Sequence, residues 1–482
     1  MAPLPPVSRR GFLAGAATVL ATGRLPLPAV AAAAAPGSFV SRPDLHPPAV
    51  AVNVRAPGVA DGYILIAPFK ITGTATTAYG ALIVDDAGEP VWFKPEAKVT
   101  AMNLRVQRYR GERVLTWYEG DVLGGYGGEF VIADSAYREL HRVRAGRGQH
   151  GDLHEFLITS RGTALITIYA LVPADLTSVG GSSNGKLTEG VIQEIDIATG
   201  KVLYEWHGAE QIGLDESVFP SVKNDVADYF HLNSVGVDDD GNLLVSARHT
   251  SAIYKVDRRT GAILWRLGGK RSDFTILPGA EFAFQHDVRR HADGTITIFD
   301  NNAAAPTATT PARPIRIALD MTAMTARLVG EFRLPQPRVA WAMGNLQQLP
   351  DGGAFVGWGT AGAYTEFAPD GSVRYDASLA DGAVTYRAFR APWVGRPAEP
   401  PAVVVRHGAS GATAYVSWNG ATEVARWRAD VGPHRDVLRP VVTVRRAGFE
   451  TAVHLGRRKG VVALTALDAA GRELGSSLPR RL

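Results

Sequence analysis

Three histidines, an arginine and an asparagine are the residues whose types and spacing can do chemistry together: His154, His231, His286, Arg248 and Asn233. Each histidine opens a similar phrase, "HEFLITSRGTALITIY" (154–169), "HLNSVGVDDDGNLLVSAR" (231–248) and "HDVRRHADGTITIFD" (286–300). His154 and His286 stand eight residues before a turn glycine, Gly162 and Gly294, and His231 stands ten before Gly241. Side chains alternate along a strand, so a shift of two keeps the same face and the three imidazoles are expected to point the same way. Arg248 ends the hairpin that His231 begins, and Asn233 lies two residues on from His231. A neutral imidazole can attack an electrophilic sulfur or phosphorus, and a second can donate or accept a proton. A guanidinium fork matches the oxygens of sulfate or phosphate. Two other readings stay open on these residues: imidazoles hydrogen-bonded to strand carbonyls, and a three-histidine metal site. His46, His141, His150, His207, His291, His407, His434 and His454 read as surface or hydrogen-bonded residues without a function of their own.

The elements that must position these groups are strands. Beyond Pro36 two kinds of phrase alternate. One is the histidine-bearing type. The other is a strand, a turn and a strand ending near an aromatic, as in "LIVDDAGEPVWF" (82–93), "IQEIDIATGKVLYEW" (192–206), "IYKVDRRTGAILWRL" (253–267) and "YTEFAPDGSVRYD" (364–376). Each reads as a β-hairpin whose Asp-Gly, Arg-Gly or Thr-Gly pair supplies the tight turn. Two hairpins make a four-stranded unit, and the second phrase type recurs six times. This predicts an all-β chain with a six-bladed β-propeller over 36–395. Equivalent positions of successive blades lie on a ring about the axis, so residues far apart in sequence are expected around one channel. Gly344 takes the ring position in the next hairpin, which leaves histidines on three consecutive blades. After the proline-rich "APWVGRPAEPP" (391–401), short alternating strands over 398–482 predict a small β-sandwich of the fibronectin III or immunoglobulin-like kind.

Residues 1–35 read as a twin-arginine signal peptide. Ser8-Arg9-Arg10-Gly11-Phe12-Leu13 precedes an apolar run and an alanine-rich stretch suited to cleavage. An extracytoplasmic protein, handled by the Tat export machinery, is the expectation. No other stretch reaches the roughly 18 apolar residues of a membrane span. The 482 residues contain no cysteine, which excludes disulfides, thiolate nucleophiles and cysteine-ligated metals. The net charge of +4 comes without a Lys/Arg run, so a nucleic-acid partner is not expected. Two long insertions, 171–187 and 212–230, are expected at the channel rim, the second with Tyr229 or Phe230 as a lid over His231.

Over roughly residues 40–395 the sequence resembles the arylsulfotransferases, and more closely their ASST-like branch in actinobacteria and fungi. The resemblance rests on "RPDLHPP" (42–48), "GYILIAP" (62–68), "VWF" (91–93), "DLHEFLIT" (152–159), "FHLNSV" (230–235), "VSARHTSAIYKVDRRTGAILWRLGG" (245–269) and "FQHDVRRHADGTITIFDN" (284–301). It implies a six-bladed propeller that moves a sulfuryl group from a phenolic sulfate ester to a phenol, without a nucleotide donor and without a cofactor. By motif, His286 would be the nucleophile and would pass through a sulfohistidine. His231 and Arg248 would bind the sulfuryl oxygens, and His154 would complete the oxyanion pocket and assist proton transfer; Asn233, from its place two residues on from His231 on the same face, is expected among the substrate-binding residues. The chain departs from well-studied members in lacking a disulfide, in its short segment before the propeller and in its C-terminal sandwich. Readings outside this family are an exported propeller that binds a small ligand or surface partner without catalysis, and a quinone-dependent dehydrogenase, for which no tryptophan-docking repeat is found.

Overall fold

Turn glycines set the element pattern. Gly241 and Gly294 have φ of 83° and 79°, a left-handed backbone that glycine alone adopts without strain, and each closes a hairpin between antiparallel strands. The computed structural model describes residues 38–71, 79–96, 98–120 and 127–482. The signal peptide expected at 1–35 lies outside the described residues. The chain is all-β: strands dominate, and the helical content among the described residues is four single 3-10 turns. No described helix is long and apolar enough to cross a membrane.

Among the described residues six main sheets, antiparallel apart from the short parallel pairings of Val226–Asp228 and Thr275–Ile276, follow one another along 50–391, with a two-stranded pairing of Pro68–Phe69 and Val384–Thr385 besides. The first is built on Tyr63–Ile66, Tyr79–Val84 and Pro90–Glu96. The second runs from Thr100–Tyr109 to Glu139–Val143, and the third from Phe156–Ile158 to Val202–His207. The fourth holds Leu232–Val237, Leu243–Ala247, Ala252–Val256 and Ile263–Gly268. The fifth runs from His286–Arg290 to Thr325–Glu331, and the sixth from Asn345–Gln348 to Val373–Leu379. Leu232–Val237 contacts both Thr163–Ala174 before it and His286–Arg290 after it, and Thr295–Asp300 contacts Asn345–Gln348. The first and last sheets exchange strands from opposite ends of the chain: Phe389–Ala391 pairs with Tyr63–Ile66, and Val50–Arg55 pairs with Val373–Leu379. Such pairings cost loop-closure entropy but leave fewer open sheet edges.

The core sits between the faces of successive sheets. Leu165, Ile192 and Trp206 of the third pack against Val235, Val245 and Tyr254 of the fourth, and Leu244, Ile253 and Trp265 of the fourth pack with Val288, Ile298 and Ile315 of the fifth. At the ring position of the sixth sheet, Gly344 has φ of 102°, and a Cβ there would stand 2.4 Å from Phe299 Cε1, so no side chain fits. Residues 402–481 form two further sheets, of three and five strands, around a separate core that includes Val416, Trp427, Val453 and Leu464.

Candidate active site

The structure gathers the three histidines. The His154 and His231 rings lie edge to face with centroids 5.1 Å apart, and Tyr386 lies 5.5 Å from His154 and 6.3 Å from His286. Tyr169 flanks His154 at 5.2 Å and His231 at 5.7 Å. Plain strand alternation is not what aims them. His154 and His231 precede their strands, and His286 begins its own. Pairing registers shift between Leu232 and Ser234 and between His286 and Arg289, while His231 and Asp287 take φ of 54° and 52°. Bulges of this kind bend a strand and re-aim a side chain, and the left-handed residues carry backbone strain of about 1–3 kcal/mol each.

Each imidazole is anchored through Nδ1, and the anchors differ. Asn301 donates its amide Nδ2 to the carbonyls of Ala340 and Met343 at 2.7 and 2.9 Å, so its Oδ1 faces His286 Nδ1 at 2.7 Å. His286 Nδ1 therefore carries the proton, and Nε2 keeps a lone pair that meets only the Met343 N–H at 3.3 Å. His154 Nδ1 is 2.6 Å from Asp152 Oδ1, which also accepts the His154 N–H at 3.0 Å and the Thr167 hydroxyl at 3.1 Å. His231 Nδ1 is 2.5 Å from Asp228 Oδ2. One imidazole is thus held by a neutral amide and two by carboxyl groups.

The electrostatics favour neutral rings at His286 and His231. Burial, with Arg248 next, holds His286 well below the usual imidazole pKa, and burial with His154 and Arg248 does the same for His231. Burial also pushes the Asp228 carboxyl up. An imidazole whose folded pKa is lowered takes up fewer protons than the unfolded chain does below about pH 6.5. Its stabilising contribution is therefore complete above that pH and declines as pH falls. We expect the His286 and His231 ring signals in a two-dimensional NMR titration to stay in their neutral form from about pH 8 to about pH 5. Protonation of either near pH 6.5 contradicts this electrostatic account.

Arg248 is 5% exposed and its N–H donates to the His231 carbonyl at 2.9 Å, so the end of the hairpin fixes the two residues side by side. Its Nη2 donates to the carbonyls of Ala304 and Trp341 at 2.9 and 3.1 Å, and its Nη1 meets His249 Nε2 at 2.6 Å. Its Nε is buried without a hydrogen-bond partner among the described residues. Burial lowers the Arg248 pKa to about 10, which leaves it charged at neutral pH. A buried cationic N–H without an acceptor is costly, and an oxyanion would satisfy it. The cluster opens to solvent where the His231 and Asp228 side chains are 22% and 26% exposed.

Asn233 is placed differently. It is fully buried, its Nδ2 donates to the Gln285 carbonyl at 2.6 Å, and its Oδ1 has no partner among the described residues. Its bonds run to the backbone beside His286, not to an imidazole. Glu155 and Asp287, which adjoin two of the histidines in sequence, turn away into a buried ion network with Arg105, Arg289 and Arg387.

Sequence reasoning missed Asp152, Asp228, His249 and Asn301. Position alone could have found two of them: His249 and Asn301 sit at or just beyond the end of the second strand of their hairpins, as Arg248 does. The lid expected from Tyr229 or Phe230 is a correction. Both are fully buried, the Tyr229 hydroxyl donates to the Ile212 carbonyl at 3.1 Å, and Phe230 packs on Trp206 and Tyr254. Their aromatic surface gains more in the core than over the channel. Phe230→Ala is expected to destabilise the fold by about 3–5 kcal/mol, read from chemical denaturation. The residues that the same insertion delivers to the site are Asp228, at the end of the strand Val226–Asp228, and Phe219, 5.3 Å from His249.

Asp228, His231 and His249 bring their ligating atoms within 4.8 Å of one another. The donor set does not suit a metal. His249 Nε2 accepts from Arg248, so Nδ1 holds the proton and gives it to the Asp228 carbonyl at 2.6 Å. A metal at Nδ1 would need the lone pair that this arrangement lacks.

A sequence profile described as Arylsulfotransferase (ASST) matches residues 105–380. No curated protein matches the chain. Solved structures similar to it include a protein of unknown function from Bacteroides caccae, with 13% identity, 69% of this chain and 100% of that one covered, and a TM-score of 0.43. A periplasmic gluconolactonase from Pseudomonas aeruginosa matches at 12% identity over 87% of this chain and 96% of its own, with a TM-score of 0.38. A virginiamycin B lyase variant from Staphylococcus aureus matches at 10% identity over 77% and 97%, with a TM-score of 0.36.

Proposed function

This chain belongs to the arylsulfotransferase (ASST) family, and on that footing we propose that it is an exported enzyme that moves a sulfuryl group from a phenolic sulfate ester to a phenol through a sulfohistidine. We read its six sheets as the blades of a propeller over 36–395, followed by a small sandwich over 398–482. The successive contacts of the sheets and the strands exchanged between first and last favour the first reading, and the separate C-terminal core favours the second. Export rests on the twin-arginine sequence at Ser8–Leu13.

The observation that carries the chemistry is the contrast in anchors. A nucleophile must offer a lone pair and stay uncharged, which suits His286: its Nδ1–H is committed to Asn301, and the lone pair for attack is on Nε2, where the Met343 N–H makes a long contact of 3.3 Å. A proton shuttle needs a partner that tolerates positive charge, which suits His154 on Asp152. In the first half-reaction Nε2 of His286 attacks sulfur, the sulfur–nitrogen bond forms as the bond from sulfur to the aryl oxygen breaks, and the phenolate takes a proton from His154. In the second, the acceptor phenol returns a proton to His154, its oxygen attacks sulfur, and the sulfur–nitrogen bond breaks to restore His286. Arg248 and His231 meet the sulfuryl oxygens, where charge is held throughout. Asn233 serves this scheme by tying the strand beside His286 in place.

The test is a rapid quench with an aryl sulfate and no acceptor. A mass increase of one sulfuryl group on the peptide containing His286 is expected, and addition of a phenol should remove it. Release of the donor's phenol with no label on that peptide would overturn the route, and binding of the aryl sulfate with no release of phenol would favour a binding protein.

A further inference from the structure

The scheme above leaves His249 without a task, yet it is 3% exposed and makes the shortest contact of the Arg248 guanidinium. We propose that His249 is a positioning residue: by accepting the Nη1–H of Arg248 it fixes the guanidinium plane, and with it the direction of the Nε–H that awaits the sulfuryl oxygens. The inference rests on the sulfuryl-transfer reading for what Arg248 binds, and on geometry for how Arg248 is held.

Two carbonyls, of Ala304 and Trp341, hold Nη2, and the Phe284 ring lies 5.3 Å from the guanidinium carbon, but none of these meets Nη1. His249 Nε2, 2.6 Å from Nη1, restrains the plane at this second corner. Histidine is an unusual acceptor for arginine, because it must be neutral and must carry its proton on the far nitrogen. Both conditions are built in. The Asp228 carbonyl takes Nδ1–H at 2.6 Å, and burial lowers the ring's pKa to about 3. The backbone is pinned as well: the His249 N–H donates to the Phe230 carbonyl at 3.1 Å, and its carbonyl accepts the Val218 N–H at 2.8 Å and the Ser217 hydroxyl at 3.2 Å. The ring stands 4.6 Å from that of His231, whose Nδ1 is bound by the side chain of the same Asp228. Asp228 thus orients both groups assigned to the sulfuryl oxygens, His231 through its carboxyl group and Arg248 through its carbonyl and His249.

A double-mutant cycle over Arg248→Ala and His249→Phe tests this, read two ways: affinity for inorganic sulfate by calorimetry, and kcat and KM for an aryl sulfate. Phenylalanine keeps the ring contact with Phe219 and removes the acceptor. His249→Phe is expected to weaken sulfate binding and to lower kcat by about 10- to 100-fold, with a smaller change in KM. The double variant should be no worse than Arg248→Ala, since removal of the arginine leaves nothing to position. His249→Gln, whose amide oxygen can accept the same N–H, should recover part of the loss, and it stands in if the phenylalanine variant fails to fold. Additive losses, a wild-type response in His249→Phe, or a glutamine variant no better than phenylalanine would overturn the proposal. Sulfate binding needs no turnover, so an additive cycle there removes the role of His249 alone, whereas a wild-type protein that binds sulfate in a coupled cycle but transfers nothing removes the enzymatic reading alone.

Discussion

His286→Ala is expected to abolish transfer, with kcat reduced by at least about 10⁴-fold, while the protein still binds an aryl sulfate. Removal of a covalent nucleophile costs more than removal of any group that only assists it, because the intermediate can no longer form and the residual rate falls to what binding and charge stabilisation provide. Binding survives because the oxyanion contacts assigned to Arg248 and His231 do not depend on the His286 ring. Free imidazole should restore part of the activity: it offers the same nitrogen lone pair and fits the space that the truncation opens. The released product would then be a sulfated imidazole or its hydrolysis product. Steady-state assays with and without imidazole, alongside equilibrium binding of the donor, check each limb. Full activity in the alanine variant assigns the attack to another group. Loss of donor binding together with activity makes His286 a structural residue of the pocket.

The sequence made the hairpins legible because a tight turn demands a particular backbone: Asp-Gly at 293–294 and at 240–241 cannot be read as strand interior. It made the gathering of His154, His231 and His286 legible because they share a place in a repeated unit. It could not reveal how they are aimed. The bulge after His286 and the left-handed φ of His231 depend on which residues across the ladder win a hydrogen bond, and alternation alone ignores that competition. Asp228 was hidden for a different reason. It lies in an insertion with no counterpart in the other units, and it reaches His231 because Val226–Asp228 pairs in parallel with Lys186 and Leu187, a contact that no local pattern announces. Asn301 was quoted within a motif and still overlooked, since an asparagine after a strand reads as turn chemistry. Its value appears only when the carbonyls of Ala340 and Met343 are seen to fix which way its amide faces. Tyr229 and Phe230 failed as lid residues because sequence position beside a histidine says nothing about which face is wet, and both side chains turn inward.

His154→Ala is expected to lower kcat by about 10²- to 10⁴-fold, the range for loss of a positioned general acid or base. The size of the effect should depend on the donor. A phenolate of low basicity leaves without help, so 4-nitrophenyl sulfate should lose least. Phenyl sulfate, whose leaving oxygen needs the proton, should lose most. The acceptor half-reaction should show the same trend, since an acidic phenol is already ionised and a weakly acidic one needs the base. Asp152→Asn separates orientation from charge. The amide keeps an acceptor oxygen where His154 Nδ1, the His154 N–H and the Thr167 hydroxyl converge, so it holds the same tautomer, but it carries no charge to balance an imidazolium. The asparagine variant should therefore slow both half-reactions, and less than His154→Ala does, read from pre-steady-state bursts of released phenol and from steady-state turnover. A wild-type rate in Asp152→Asn, or a His154→Ala effect independent of the leaving group, would take His154 out of proton transfer and leave it as a wall of the anion pocket beside Tyr169 and Tyr386.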